Sequence, residues 1–418
     1  MSQQIADWFV NMLRAPLAGL RGADPVLGLA LVVLAALVLA SALHRRLRLP
    51  RLLGYLLVGA LVSPAASGLL QRADIDPWKP LIDLAVAALV FELGTRLRPR
   101  WLIDNPWLAA SSALEAAVAG AAVWLALVAM GAPSASAAAA AALAASTSPV
   151  ITMAAFLEAR PRGQVAERLL MLSAINSVLA ILAVKLWPVL AQRGLSATDS
   201  LSLLANASVV IFGSLLLGLA CGVLLDRLGR LHDEAATMPV LQLALVIVAA
   251  LLALLWGLSP FVVLLVAGMT ARSRMRHRLT VQPYLGSAGA ALTVMLFVSF
   301  GVLSTLQDWR TLWPWVLAIV AARLIGKGAA IFATARPSGL SWRQATALTL
   351  ALQPMSSLSV LLVADSFGWR TQLPGADVAV IQALLIATTL MQLSGPLWTL
   401  APLKHIVGET DDDGIPPR

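Results

Sequence analysis

Long apolar runs, separated by short polar connections rich in arginine, recur along almost the whole sequence. Runs of roughly 18 or more apolar residues are long enough to cross about 30 Å of hydrocarbon as α-helices. The pattern therefore predicts an all-α polytopic membrane protein. Thirteen spans are predicted, at about 25–43, 52–71, 80–97, 106–130, 134–159, 166–190, 200–226, 236–256, 258–272, 282–305, 311–334, 342–367 and 376–402.

The connections between these spans differ in charge. The arginine clusters that contain Arg45, Arg96 and Arg272 lie in odd-numbered connections, whereas even-numbered connections hold few basic residues. Basic residues are retained in the cytoplasm. We therefore expect the N-terminus outside and the C-terminus inside, in a membrane that we expect to be the bacterial inner (plasma) membrane.

Both ends of the chain differ from the single transmembrane domain predicted over residues 25–403. Residues 1–24 place Trp8 and Phe9 on one face of a helix, which is typical of an amphipathic segment at the membrane interface. Residues 404–418 are short and acidic, and we expect them to form a disordered cytoplasmic tail.

Composition narrows the functional classes. Only 12% of the 418 residues are charged and the mean hydropathy is +0.85, whereas soluble domains carry about 25% charged residues. The net charge of +9 lies in the connections between spans, so it is a topology signal and predicts no nucleic-acid partner. The single Cys221 excludes a disulfide framework or a cysteine-based metal site. Because no nucleophile motif or phosphate loop is present, we expect neither an enzyme nor a cofactor.

Two of the predicted spans are interrupted by proline. Pro149 lies in "STSPVITMAAFLE" and Pro354 in "LQPMSSLSVLL". Proline removes a backbone hydrogen bond, and inside a membrane such breaks persist where protein buries them or where they line a cavity. The prolines lie seven spans apart, so the two segments cross in opposite directions. Paired broken helices in inverted halves indicate a transporter site near the midplane; two unrelated kinks are the alternative.

Several polar residues lie near these breaks. The sixth span, "MLSAINSVLAILA", carries Asn176 and Ser177 within an aliphatic run. These two residues, together with Thr147, Ser148 and Gln353, offer neutral oxygens to a cation but cannot release a proton. The alternative for Asn176 and Ser177 is a packing contact between helices.

Charged residues at membrane depth are the candidates for titration. Glu115 lies roughly nine residues into the fourth span, about 14 Å from its inner end. Arg323 and Lys327 are four residues apart and share one helical face. A buried lysine can lose its proton, whereas arginine stays charged. We hypothesise that Glu115 offsets Arg323 or Lys327 and titrates during transport; a static salt bridge is the open alternative.

Five stretches in order resemble the Kef-type monovalent cation/proton antiporter superfamily, which has the inverted-repeat sodium/proton antiporter fold. They are "LPRLLGYLLVGALVSP", "LVFELGTRLRPRWL", "TSPVITMAAFLEARPRG", "LTVMLFVSFGVLSTLQDW" and "ARLIGKGAAIFATARPSG". The resemblance implies core spans at about 106–190 and 311–402, which move against scaffold spans at about 25–97 and 200–305. It also implies a homodimer and an ion site at the crossing of the broken helices.

Individual positions follow from the same resemblance. Lys327 matches the membrane lysine of the family, and Thr147, Ser148 and Pro149 match its first crossover. The family usually carries an aspartate on the sixth span, where this chain has Asn176 and Ser177. The resemblance therefore implies the fold, whereas the aspartate that usually carries the exchanged cation or proton is replaced in this chain.

Three functions remain open at this point. We expect exchange of a monovalent cation, sodium or potassium, for protons by alternating access. An anion or small organic acid transporter on the same fold is the first alternative. The second is a membrane scaffold or sensor that transports nothing because its ion site is inactivated.

Overall fold

A computed structural model describes residues 25–47, 49–64, 66–70, 72–97, 104–191, 197–231, 237–274, 286–303, 309–356 and 377–409. The predicted interfacial segment at residues 1–24, the second half of the twelfth span and residues 410–418 of the tail lie outside these ranges.

The described residues form fifteen α-helices, one 3₁₀-helix (Arg72–Trp78) and no β-strand. This confirms the all-α fold class. The helices are α1 (Pro25–Leu47), α2 (Arg51–Val62), α3 (Lys79–Arg96), α4 (Pro106–Ala129), α5 (Ser134–Ala144), α6 (Pro149–Ala159), α7 (Gln164–Ala191), α8 (Ala197–Leu231), α9 (Thr237–Leu255), α10 (Pro260–Arg274), α11 (Gly286–Val302), α12 (Trp309–Ala335), α13 (Trp342–Ala351), α14 (Val378–Leu393) and α15 (Gly395–His405).

Each predicted span overlaps one or two of these helices. Among the described residues, six helices are each long and apolar enough to cross a membrane, and the pair α14 and α15, bent by 45°, makes a seventh candidate. Helices α2, α5 and α6 are apolar but shorter. The fifth predicted span is the pair α5 and α6, because the helix stops before Pro149 and starts again there.

The helices fall into two compact units. Met1–Val86 and Ser287–Gln307 form the first, which contains α1, α2 and most of α11. Ala87–Gly286 and Asp308–Arg418 form the second. All the site residues predicted from the sequence belong to the second unit.

Within the second unit, α4 packs closely against α12. A Cβ atom added at Gly326 of α12 would lie 2.7 Å from the Cα atom of Ala119 on α4. The helices can approach this closely only because residue 326 has no side chain. The approach matters because Lys327 follows Gly326, and Glu115 lies one helical turn before Ala119.

The first residues of the predicted tail are ordered. Helix α15 continues to His405, and the Glu409 carboxylate accepts hydrogen bonds from the backbone amides of Val165 (3.0 Å) and Ala166 (2.8 Å). The first amides of a helix have no partner within the helix, so a carboxylate there is stabilised. The expected disorder is therefore wrong for residues 404–409.

Candidate functional site

The two breaks pack against each other in the second unit. Helix α5 ends at Ala144 and α6 begins at Pro149, while α13 ends at Ala351. The Ser148 amide donates to the Pro354 carbonyl at 2.8 Å, and an antiparallel bridge pairs Thr147 with Met355. The segments therefore cross in opposite directions at this point, as the odd number of spans between the prolines predicts.

Arg323 of α12 holds both breaks together. Its guanidinium donates to four backbone carbonyls and is fully buried. One acceptor is the carbonyl of Ala144, the last residue of α5. The other three carbonyls follow the end of α13 and belong to Leu352 (2.9 Å), Gln353 (3.3 Å) and Pro354 (3.4 Å). Because carbonyls at helix C-termini carry partial negative charge, the guanidinium neutralises the ends of two helices at once.

Lys327 lies one turn further along α12 and has different partners. Its ammonium nitrogen donates to the Glu115 carboxylate, to the Ala145 carbonyl at 3.0 Å and to the Thr147 hydroxyl at 3.1 Å. The side chains of Glu115 and Lys327 are both 0% exposed. The ammonium thus donates each of its three protons to an oxygen, one of which is charged.

Asn176 of α7 completes the surroundings of this pair. Its amide nitrogen donates to the second Glu115 oxygen, and its amide oxygen accepts from the Ser112 hydroxyl at 3.3 Å. Ser177 instead donates to the backbone, at 2.9 Å from the Ser173 carbonyl and 3.2 Å from the Thr147 carbonyl. A hydroxyl can donate to a carbonyl, whereas an aspartate in place of Ser177 would set its oxygens against two carbonyl oxygens.

The structure therefore brings together most of the residues that the sequence singles out. Glu115, Thr147, Asn176 and Lys327 form one hydrogen-bonded cluster, and Ser177 joins it through Thr147. In the described residues, Glu115 and Asp226 are the only buried acids. Glu115 pairs with Lys327, one of the two cations that the sequence offered as its partner.

Two predicted residues direct their side chains elsewhere. The Ser148 hydroxyl accepts from the Ile151 amide at 3.2 Å and so caps the first turn of α6. The Gln353 amide nitrogen donates to the Thr349 carbonyl within its own segment at 2.8 Å. Both residues support the breaks rather than the ammonium, and Gln353 does so chiefly through its backbone carbonyl.

Two groups of the cluster escaped the sequence reasoning. Ser112 is three residues before Glu115 and therefore shares its helical face, a signal that could have identified it. The Ala145 carbonyl could not be found in this way, since only the end of α5 frees that backbone oxygen for Lys327.

Several oxygen atoms surround the Lys327 ammonium. Carboxylate, carbonyl and hydroxyl oxygens converge on it, and the side chains of Glu115, Thr147 and Lys327 are fully buried. No group of three or more His, Cys, Asp or Glu side chains that could hold a metal ion occurs in the described part of the chain.

Known proteins resemble this chain in sequence and in fold. A glutathione-regulated potassium-efflux system protein of Haemophilus influenzae is 25% identical over 336 residues, which cover 77% of this chain. The chain spans 53% of that relative's length. Two structures of the sodium proton antiporter MjNhaP1 of Methanocaldococcus jannaschii share the fold. Their TM-scores are 0.66 and 0.68, at 15% and 16% identity, over 92% of this chain and 99% and 98% of theirs.

The profile of one family extends over most of the sequence. The family is described as sodium/hydrogen exchanger, transmembrane. It matches residues 32–400, which include both breaks and every residue of the cluster. This family consists of integral membrane transporters rather than enzymes, and the match does not favour the anion carrier or the inactive scaffold. The chain belongs to the transmembrane sodium/hydrogen exchanger family.

Proposed function

We propose that this protein exchanges a monovalent cation, sodium or potassium, for protons, and that the Glu115–Lys327 pair carries the exchange. One observation carries the proposal. The Lys327 ammonium occupies a position where a carboxylate, a carbonyl and a hydroxyl oxygen converge. These are the oxygen ligands that a dehydrated monovalent cation needs, so a cation and the protonated lysine compete for the same ligands.

This competition would couple the movement of the cation to the movement of protons. When a cation takes the oxygens of Glu115, Ala145 and Thr147, the Lys327 ammonium loses its partners and the Glu115–Lys327 pair releases one proton. When the cation departs on the other side of the membrane, one proton returns. Because the carboxylate and the amine interact strongly, the exchanged proton belongs to the pair rather than to either residue alone.

Asn176 and Arg323 have supporting roles in this scheme. The amide of Asn176 donates to the Glu115 carboxylate and helps to orient it. Arg323 stays charged and keeps the two breaks joined through their carbonyls, with Pro149 and Pro354 marking the helix interruptions. Ser148 and Gln353 contribute to the shape of the breaks. The usual acid of the sixth span is thus replaced by Glu115 from the fourth.

The wider organisation follows the family resemblance. We propose that residues 106–190 and 311–402 act as the moving core and residues 25–97 and 200–305 as the scaffold of a homodimer in the lipid bilayer. The arginine-rich connections support a cytoplasmic C-terminus and an external N-terminus in a bacterial inner membrane.

Reconstituted vesicles test the proposed exchange. Vesicles with an acidic interior and a trapped pH dye are diluted into sodium, potassium or choline chloride, and separately into organic anion salts of choline. We expect the interior to become alkaline with sodium or potassium and to change little with choline. A pH change that depends on the anion would favour the anion carrier. No pH change under any gradient would favour the inactive scaffold. Either result overturns the proposal.

A further inference from the structure

The segment that follows α15 folds back onto the start of α7. We name residues 406–409 the C-terminal latch. The Glu409 carboxylate accepts from two amides in the first turn of α7, Val165 at 3.0 Å and Ala166 at 2.8 Å. Its backbone carbonyl accepts from the Arg162 amide at 2.7 Å. One residue thus accepts hydrogen bonds from three backbone amides around the start of this helix.

The latch is also fixed at its own end. The Glu409 amide donates to the Leu403 carbonyl at 2.8 Å. The Arg343 guanidinium, near the start of α13, donates to the Ile406 carbonyl at 3.1 Å. The latch therefore joins the ends of α7, α13 and α15 that lie on one side of the second unit.

The connection before α7 leaves space for this carboxylate. A Cβ atom added at Gly163 would collide with the Glu409 carboxyl group. A side chain at residue 163 and a carboxylate over the first turn of α7 therefore exclude each other. Because the free amides of a helix N-terminus favour a negative charge, the Glu409 carboxylate stabilises this end of α7.

We propose that Glu409 is a positioning residue, which holds the start of α7 against α15 while Asn176 on the same helix contacts Glu115. Ala166 and Asn176 are about 15 Å apart along α7, at 1.5 Å per residue. Glu409 therefore acts on the site through the helix and touches none of the exchanging groups. The effect on transport rests on the proposed exchange, whereas the effect on α7 does not.

Truncations provide a matched test. A chain that ends at Gly408 loses Glu409, and a chain that ends at Glu409 keeps it and lacks only residues 410–418. Glu409→Gln is the point variant, and Glu167→Gln is its control because it removes an exposed carboxylate from the first turn of the same helix. Hydrogen exchange at the Val165 and Ala166 amides is followed in the purified full-length protein and in each variant.

We expect Glu409→Gln and the chain ending at Gly408 to expose these amides, with exchange about tenfold faster. Their maximal transport rate should fall about fivefold, the equilibrium factor for loss of a helix cap. The cation concentration at half-maximal rate should stay within about twofold of that of the parent protein, because the variants leave the groups proposed to bind the cation unchanged. The Glu167→Gln variant and the chain ending at Glu409 should match the parent protein.

Three results would overturn the proposal. Unchanged amide exchange after loss of Glu409 would show that the carboxylate does not hold the helix. An equal effect of Glu167→Gln would assign the change to net charge alone. A shift in half-saturation as large as the loss of rate would place Glu409 at the ion site. Amide exchange decides the first point even if the parent protein transports none of the cations tested.

Discussion

Two cations on one face of α12 lie in different environments, although both are fully buried and only one turn apart. Arg323 meets backbone carbonyls alone, four of them, on two interrupted segments. Lys327 meets a carboxylate, a carbonyl and a hydroxyl. The first environment has no group that can titrate, whereas the second pairs a titratable acid with a titratable base.

From this difference we infer separate tasks for the two cations. A guanidinium keeps its charge under all working conditions and presents several donors in a rigid plane, so it suits a permanent structural link. An ammonium is compact and can lose a proton on burial. We infer that Arg323 maintains the crossing and Lys327 takes part in the exchange. The following substitutions test that division.

Glu115→Gln should have the largest effect on transport. The variant leaves the Lys327 ammonium in a fully buried site without its charged partner, and we expect at least about a 100-fold loss of exchange, equivalent to about 3 kcal/mol. The measurement is cation-driven proton movement in vesicles, with size-exclusion chromatography to verify folding.

Glu92→Gln is the matched control for that variant. Glu92 is also an acid in a membrane helix, paired with Arg96 at 3.1 Å one turn away, and we expect near-normal exchange from its variant. Unchanged exchange and unchanged pH dependence in Glu115→Gln would instead indicate a static salt bridge between Glu115 and Lys327.

Arg323→Met should lower the stability of the fold. The variant leaves four buried carbonyls without this donor, and we expect the free energy of unfolding to fall by about 3 kcal/mol. Thermal unfolding in detergent measures the change. Arg336→Met serves as control because Arg336 is exposed and stacks 5.1 Å from the centre of the Trp342 ring. A stable Arg323→Met protein that has lost only exchange would contradict the structural role.

Asn176→Ala should reduce transport moderately. It removes the amide that donates to Glu115 and leaves the Ser112 hydroxyl without its acceptor. Hydrogen bonds to charged groups contribute about 1.5–3 kcal/mol, so the exchange rate should fall about tenfold or more. Vesicle assays at several external pH values check this, with Ser173→Ala on the same helix as control. An exchange rate equal to that of the control would remove Asn176 from the site.

Thr147→Val should have the smallest effect. The substitution keeps the shape but deletes the oxygen 3.1 Å from the Lys327 ammonium and the hydrogen bond to the Leu352 carbonyl. Loss of one neutral ligand, about 1 kcal/mol, should raise the half-saturating cation concentration about fivefold. Thr152→Val is the control, since the Thr152 hydroxyl donates to the Ser148 carbonyl away from the cluster. Equal affinities in the two variants would exclude Thr147 as a ligand.

Much of the architecture could be predicted from the sequence because a bilayer constrains it strongly. Apolar runs must form helices, since no water is available to backbone groups in the hydrocarbon. Proline inside such a run removes a backbone hydrogen bond. The break at Pro149 lies where the sequence predicts, whereas Pro314 lies inside α12 without interrupting it. The cluster was only partly predictable. Spacing placed Arg323 and Lys327 on one face, but it left the partner of Glu115 undecided.

The pairing of distant residues could be identified only from the tertiary structure. Gly326 lets α12 approach α4, and this approach brings Lys327 rather than Arg323 to Glu115. Glu409 caps α7, more than 240 positions away in the sequence. The helices, the break at Pro149 and the residues with titratable chemistry follow from the amino-acid sequence, because hydrophobicity and proline act locally. The folded chain alone decided which charges pair, because that depends on which backbones approach closely enough for two distant side chains to meet.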